Sequence, residues 1–122
     1  MSDGTIFIVE DNPVIADLIS WRLTEMGYRV VGTAEDSTQA LVRIEEIRPT
    51  LVLMDINLPG EMDGIDTAVE IIKRFSIPIV YISSILDSEI MERAKKTKPL
   101  GYIVKPFTDN QLRATIEMAL QE

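Results

Sequence analysis

The chain contains no histidine and no cysteine. Without histidine there is no imidazole general base, no Ser-His-Asp triad, no histidine metal ligand and no phosphohistidine on this chain. Any imidazole in its chemistry must belong to a partner. Without cysteine there are no disulfides, thiolate zinc sites or thiol nucleophiles. Basic residues are also scarce: 12 Lys plus Arg stand against 20 Asp plus Glu, a formal net charge of −8. That balance argues against direct nucleic-acid binding, which needs a basic face. No apolar run approaches the ~20 residues of a membrane span. The opening Met1-Ser2-Asp3-Gly4 has no signal-peptide pattern. A soluble cytoplasmic protein with no membrane attachment is therefore expected. No Gly-x-Gly-x-x-Gly or P-loop pattern occurs either.

What is present fits a single domain over residues 1–122, since 46% hydrophobic residues can build a core. Short apolar runs alternate with segments of helical period. The runs predict strands over about Thr5 to Val9, Tyr28 to Thr33, Leu51 to Met54, Ile79 to Ile82 and Tyr102 to Val104. The first helix opens at Asn12-Pro13, turns Ile15, Leu18, Ile19 and Met26 inward, and stops at Gly27. The second is capped by Asp36 or Ser37, buries Ala40, Leu41, Ile44 and Ile47, and closes at Pro49. The third follows an Asp63-Gly64 turn and carries a stripe of Ile65, Ala68, Val69, Ile72 and Phe75. The fourth, Leu86 to Lys96, is less apolar and more exposed. Arg93, Lys95, Lys96 and Lys98 near its end read as cations matching the helix dipole, with a partner contact as the alternative. The fifth is capped by Thr108 or Asp109 and buries Leu112, Ile116, Ala119 and Leu120. Five strand–helix units in alternation imply a doubly wound α/β fold, a parallel sheet with helices on both faces.

Three apolar runs end in charge. Val9 leads into Glu10-Asp11, Met54 into Asp55, and Val104 into Lys105-Pro106. Parallel strands point one way, so these ends meet at one edge of the sheet, where open α/β sheets bind ligands. Each group alone has a plain reading: acids at a helix start, a loop cap, a surface lysine. Ser83 alone would cap a helix, and Tyr102 alone would be core. Jointly, three carboxylates at one edge would repel one another unless a cation lay between them. Three carboxylates and an ammonium suit a hard divalent cation and a phosphoryl group.

From Ile6 to the last helix the chain resembles the receiver domains of two-component response regulators, the CheY-like family. The resemblance is carried by Glu10-Asp11, Asp55, Leu58-Pro59, Asp63-Gly64, Ser83, Tyr102 and Lys105-Pro106-Phe107, in that order at strand ends and the loops beyond. It implies a flavodoxin-like (βα)5 sheet of strand order 2-1-3-4-5. It implies that Asp55 accepts a phosphoryl group from the phosphohistidine of a sensor histidine kinase or histidine phosphotransfer protein. Mg2+, or Mn2+ in its place, would be held by Asp11, Asp55 and the backbone carbonyl of Asn57, with Glu10 acting through water. Lys105 would pair with Asp55 at rest and with a phosphoryl oxygen afterwards. Ser83 would donate to another phosphoryl oxygen while Tyr102 turns inward. The face of helix four, strand five and helix five would then change, controlling a downstream output protein or domain. Family members also pair as homodimers through that face.

Two departures stand out against the family pattern. The Asn57-to-Gly64 loop is one residue longer than the commonest form, and Ser84 replaces a usual alanine. With Glu122 close to the end of the last predicted helix, the output is expected to be a separate protein or a further domain. The resemblance thus implies a signalling domain that assists its own phosphoryl chemistry and is not otherwise an enzyme. Three alternatives carry different signatures. A Mg2+-dependent phosphatase working through an aspartyl-phosphate would have a second aspartate where Asn57 stands. A receiver-like scaffold would not be phosphorylated. A flavodoxin-type cofactor binder would need a phosphate cradle where Glu10-Asp11-Asn12-Pro13 would repel one.

Overall fold

The computed structural model describes residues 4–84 and 87–121. The short apolar runs form one parallel sheet from β1 (Thr5–Val9), β2 (Arg29–Ala34), β3 (Leu51–Asp55), β4 (Ile79–Ser83) and β5 (Gly101–Val104). Its order is β2-β1-β3-β4-β5, as the resemblance implied. In the central pairings Ile6 lies opposite Leu51, and Asp55 lies opposite Ile82. Five helices fill the crossovers: α1 (Pro13–Glu25), α2 (Ser37–Ile47), α3 (Gly64–Phe75), α4 (Ser88–Lys96) and α5 (Asp109–Leu120).

Alternation along the strands divides the core into two layers. Ile6 and Ile8 join Leu51, Leu53, Val80, Ile82 and Ile103 beneath α1 and α5. Phe7 and Val9 join Val52, Met54, Ile79 and Tyr81 beneath α2, α3 and α4. All five residues of β3 are buried, including Asp55. No helix among the described residues is long and apolar enough to cross a membrane.

The helix starts follow capping chemistry. Asn12 accepts the N–H groups of Val14 and Ile15, with Pro13 as the first helical residue. Asp36 caps α2 and Thr108 caps α5, the latter in a reciprocal pair with Gln111. Asp87 caps α4, so Ser83 is not its cap. The expected helix start at Leu86 lies outside the described residues. Gly27, at φ +95°, follows the end of α1 as expected.

Three helix faces differ from their predicted stripes. In α1 the buried residues are Ala16, Ile19 and Leu23, while Leu18 is exposed. In α3 Ile71 is buried and Val69 is 44% exposed. In α2 Ile47 is exposed beside buried Ala40 and Ile44. Each helix carries more apolar residues than one face can hold, and small residues such as Ala16 and Thr67 take the closest approach to the sheet. Asp63-Gly64 is a helix start: Asp63 accepts the Asp66 N–H, and Gly64 is the first residue of α3.

Candidate functional site

The C-terminal ends of β1, β3, β4 and β5 bring the expected groups together. Glu10 leaves β1 with its N–H bonded to the Ala34 carbonyl at 2.9 Å, and it is 3% exposed. Asp55 closes β3 at 4% exposure. Lys105 leaves β5 with its N–H on the Ser83 carbonyl at 3.0 Å, which ties the ends of β5 and β4 together. The Lys105-Pro106 peptide is cis.

Side chains then converge across these ends. Lys105 Nζ donates to Glu10 Oε1 at 3.1 Å and to Asp55 Oδ2 at 3.5 Å. Its nearer partner is therefore Glu10, where the sequence reading paired it with Asp55. Asp55 Oδ1 accepts the Asn57 N–H at 2.9 Å, and Glu10 Oε2 accepts the Asn12 N–H at 3.1 Å. Both buried carboxylates are thus oriented by the backbone of the loop that follows them. Asp11 is exposed, yet one carboxylate oxygen from each of Glu10, Asp11 and Asp55 lies within 4.8 Å of the others. Among the described residues this is the one such cluster of potential metal ligands.

Charge is poorly balanced there. Burial above all, then the neighbouring Asp55 and Asp11, pushes Glu10 up to about 7, although the Asn12 N–H pulls the other way. Burial also disfavours the charged form of Lys105, but Asp55 and Glu10 outweigh it, and its pKa is raised. One ammonium faces three carboxylates. Oxygen donors converging on a point open to water on the Asp11 side are a fitting set for a hard divalent cation such as Mg2+, which keeps several waters.

Ser83 is fully buried, and its Oγ lies 3.5 Å from Asn57 Nδ2. The sequence reading gave Asn57 only a backbone role, and its side chain is a further member of the site. Tyr102 is half-buried on β5, its ring 6.4 Å from that of Tyr81 and tilted by 56°. Gly64 was read only as a turn glycine. Its φ is ordinary, but a Cβ there would lie 2.0 Å from the Asp55 carbonyl oxygen and 2.6 Å from Ile56 Cα. The Gly64 N–H also bonds the Ile56 carbonyl at 2.8 Å. Glycine is needed so that α3 can start against the backbone of the site. Arg93 was read as a dipole-matching cation, but it reaches from α4 to Asp63 at 2.9 Å and Asp66 at 3.1 Å.

Comparison with known proteins places the fold among relatives. The family model of the response regulator receiver domain matches residues 6–117. The chain is 36% identical over 115 residues to the transcriptional regulatory protein PdtaR of Mycobacterium tuberculosis, covering 94% of this chain and 56% of that protein. It is 32% identical over 116 residues to the phyllosphere-induced regulator PhyR of Methylorubrum extorquens, covering 94% and 43%. The chain spans about half the length of these curated relatives. Among solved structures, the signal receiver domain of a modulated diguanylate cyclase from Desulfovibrio desulfuricans aligns with a TM-score of 0.90 at 35% identity, over 97% of this chain and 94% of that one. The receiver domain of NtrX from Brucella abortus aligns with a TM-score of 0.87 at 34% identity, over 95% and 98%.

Proposed function

The chain belongs to the response regulator receiver domain family, and from that premise we propose that Asp55 is the phosphoryl acceptor of a Mg2+-dependent switch. The observation that carries this reading is a buried Asp55 flanked by two acids and one ammonium, with its carboxylate held by the Asn57 N–H. An Asp55 oxygen attacks phosphorus while the bond to a partner's imidazole nitrogen breaks, and the product is a mixed anhydride. The donor would be the phosphohistidine of a histidine kinase or phosphotransfer protein, whose imidazole lies outside this sequence, which has no histidine.

Positioning and charge neutralisation dominate such a transfer. Asp11, Asp55 and the Asn57 carbonyl would hold Mg2+, with Glu10 acting through water. When bound, the cation neutralises charge on the phosphoryl oxygens. Lys105 exchanges its contacts with Asp55 and Glu10 for a phosphoryl oxygen. Ser83 donates its hydroxyl to another, and Asn57 Nδ2 lies beside that hydroxyl. Movement at Ser83 makes room for Tyr102, and the α4-β5-α5 face changes to bias an output protein or domain. That face would also be where two copies pair. The chain acts as one domain.

The test is intact mass after incubation with Mg2+ and a small acyl phosphate, beside Asp55→Asn. One added phosphoryl group in wild type alone is expected. Equal labelling of the variant would remove Asp55 as acceptor. Rapid phosphate release without a stable adduct would assign a phosphatase.

A further inference from the structure

The groove between α3 and α4 takes no part in the chemistry above. It encloses about 620 Å3, within the usual range for ligand sites. Ile65, Val69 and Ile72 line it from α3 at i, i+4 and i+7, an apolar rail whose first residue, Ile65, is buried and whose accessible part is Val69 and Ile72. Val69, at the middle of the rail, is 44% exposed. Lys73 stands at the far end of that rail, with Lys96 and Lys98 across from it. Arg93 also lines the groove, but it is already paired with Asp63 and Asp66. Among the described residues no carboxylate forms an ion pair with Lys73, Lys96 or Lys98. On a chain of net charge −8 this is a local reversal of sign. Matching the helix dipoles accounts for a lysine at the end of each helix. It does not account for an exposed valine one turn before Lys73 on the same helix.

We propose that this groove docks an acidic amphipathic helical segment of a protein partner. An apolar α3 wall facing a basic α4 side suits a third helix, whose apolar face would meet Val69 and Ile72. Carboxylates at one end of that segment would meet Lys73, Lys96 and Lys98.

The probe is a short synthetic helix with leucines at i, i+4 and i+7 and glutamates at one end, titrated into the 15N-labelled full chain. Saturable shifts confined to α3 and to residues 93–98 are expected. They should weaken about tenfold in the double variant Lys96→Glu, Lys98→Glu, and with added salt. Labelling of that variant by acyl phosphate should be unchanged. Equal binding of a probe with lysines in place of the glutamates would overturn the proposal, as would shifts elsewhere or none. Concentration-dependent shifts at these residues without the probe would give the groove to a second copy of this chain, and overturn it too.

Discussion

At the scale of single residues, the absence of one methyl group at position 64 decides how closely α3 can approach Asp55. A Cβ at Gly64 would overlap the Asp55 carbonyl oxygen at 2.0 Å, and the contact is backbone, which cannot swing aside. Overpacking of this kind costs about 1–3 kcal/mol. Gly64→Ala is therefore expected to lower the melting temperature and to slow phosphoryl uptake, because the strand end that carries Asp55 must shift. Unchanged melting and unchanged uptake would show that α3 can slide without disturbing the site. This constraint was not legible in the chain, since close approach is a property of the fold and a glycine beside an aspartate reads equally well as a turn. Glu10, Asp55 and Lys105 were legible together, because charges at three strand ends that meet on one sheet edge have few joint uses besides holding a cation or anion. The Asn57 side chain was not, since its contact with Ser83 depends on the loop after β3 folding back over the end of β4.

At the scale of elements, the sheet was easier to read than the helix faces. Buried parallel strands are apolar throughout, so β1, β3 and β4 announced themselves, and the caps of α1, α2 and α5 fell on the expected residues. In α1, however, two apolar stripes compete. Ala16, Ile19 and Leu23 are buried, and Val14, Leu18 and Trp21 are exposed. Periodicity alone cannot choose between them. The contact of α3 with α4 was also hidden, because Arg93 and Asp63 are distant in sequence. Burial pushes Asp63 up, but the Arg93 guanidinium and the Asp66 N–H outweigh it, and its pKa falls below the ordinary 3.8. A lowered carboxylate contributes stability above its unfolded value and loses it as pH drops through the folded one. Arg93→Ala should thus cost no more than about 1 kcal/mol near neutrality, since both partners are partly exposed. The difference from wild type should shrink as pH falls below 3.8. Denaturant melts of both proteins at neutral and strongly acidic pH would check this, and a constant difference would remove the ion pair as its source.

At the scale of the whole molecule, the burial of the proposed acceptor means that a protein donor of the proposed kind would have to dock. Asp55 is 4% exposed, so a phosphohistidine can reach it only by seating against the rim of the sheet edge. One element that begins at that rim is α1, which starts two residues after Asp11. Its outer stripe holds Val14 at 74%, Leu18 at 47% and Trp21 at 62% exposure, one-sided and free of core duty. Exposed apolar residues grouped in this way mark a protein contact. These apolar residues are surplus to the core, and under the proposed function they are what a docking donor would meet. Leu18→Glu and Trp21→Ala should slow phosphoryl transfer from a phosphorylated histidine protein by about tenfold or more, the loss of roughly one interfacial anchor. Both should leave labelling by a small acyl phosphate unchanged, because that donor needs only the sheet edge. Comparing the two donors on the same variants separates docking from chemistry. Equal slowing with both donors would mean that α1 shapes the site itself, and equal rates with both would move the donor's footprint to another part of the rim.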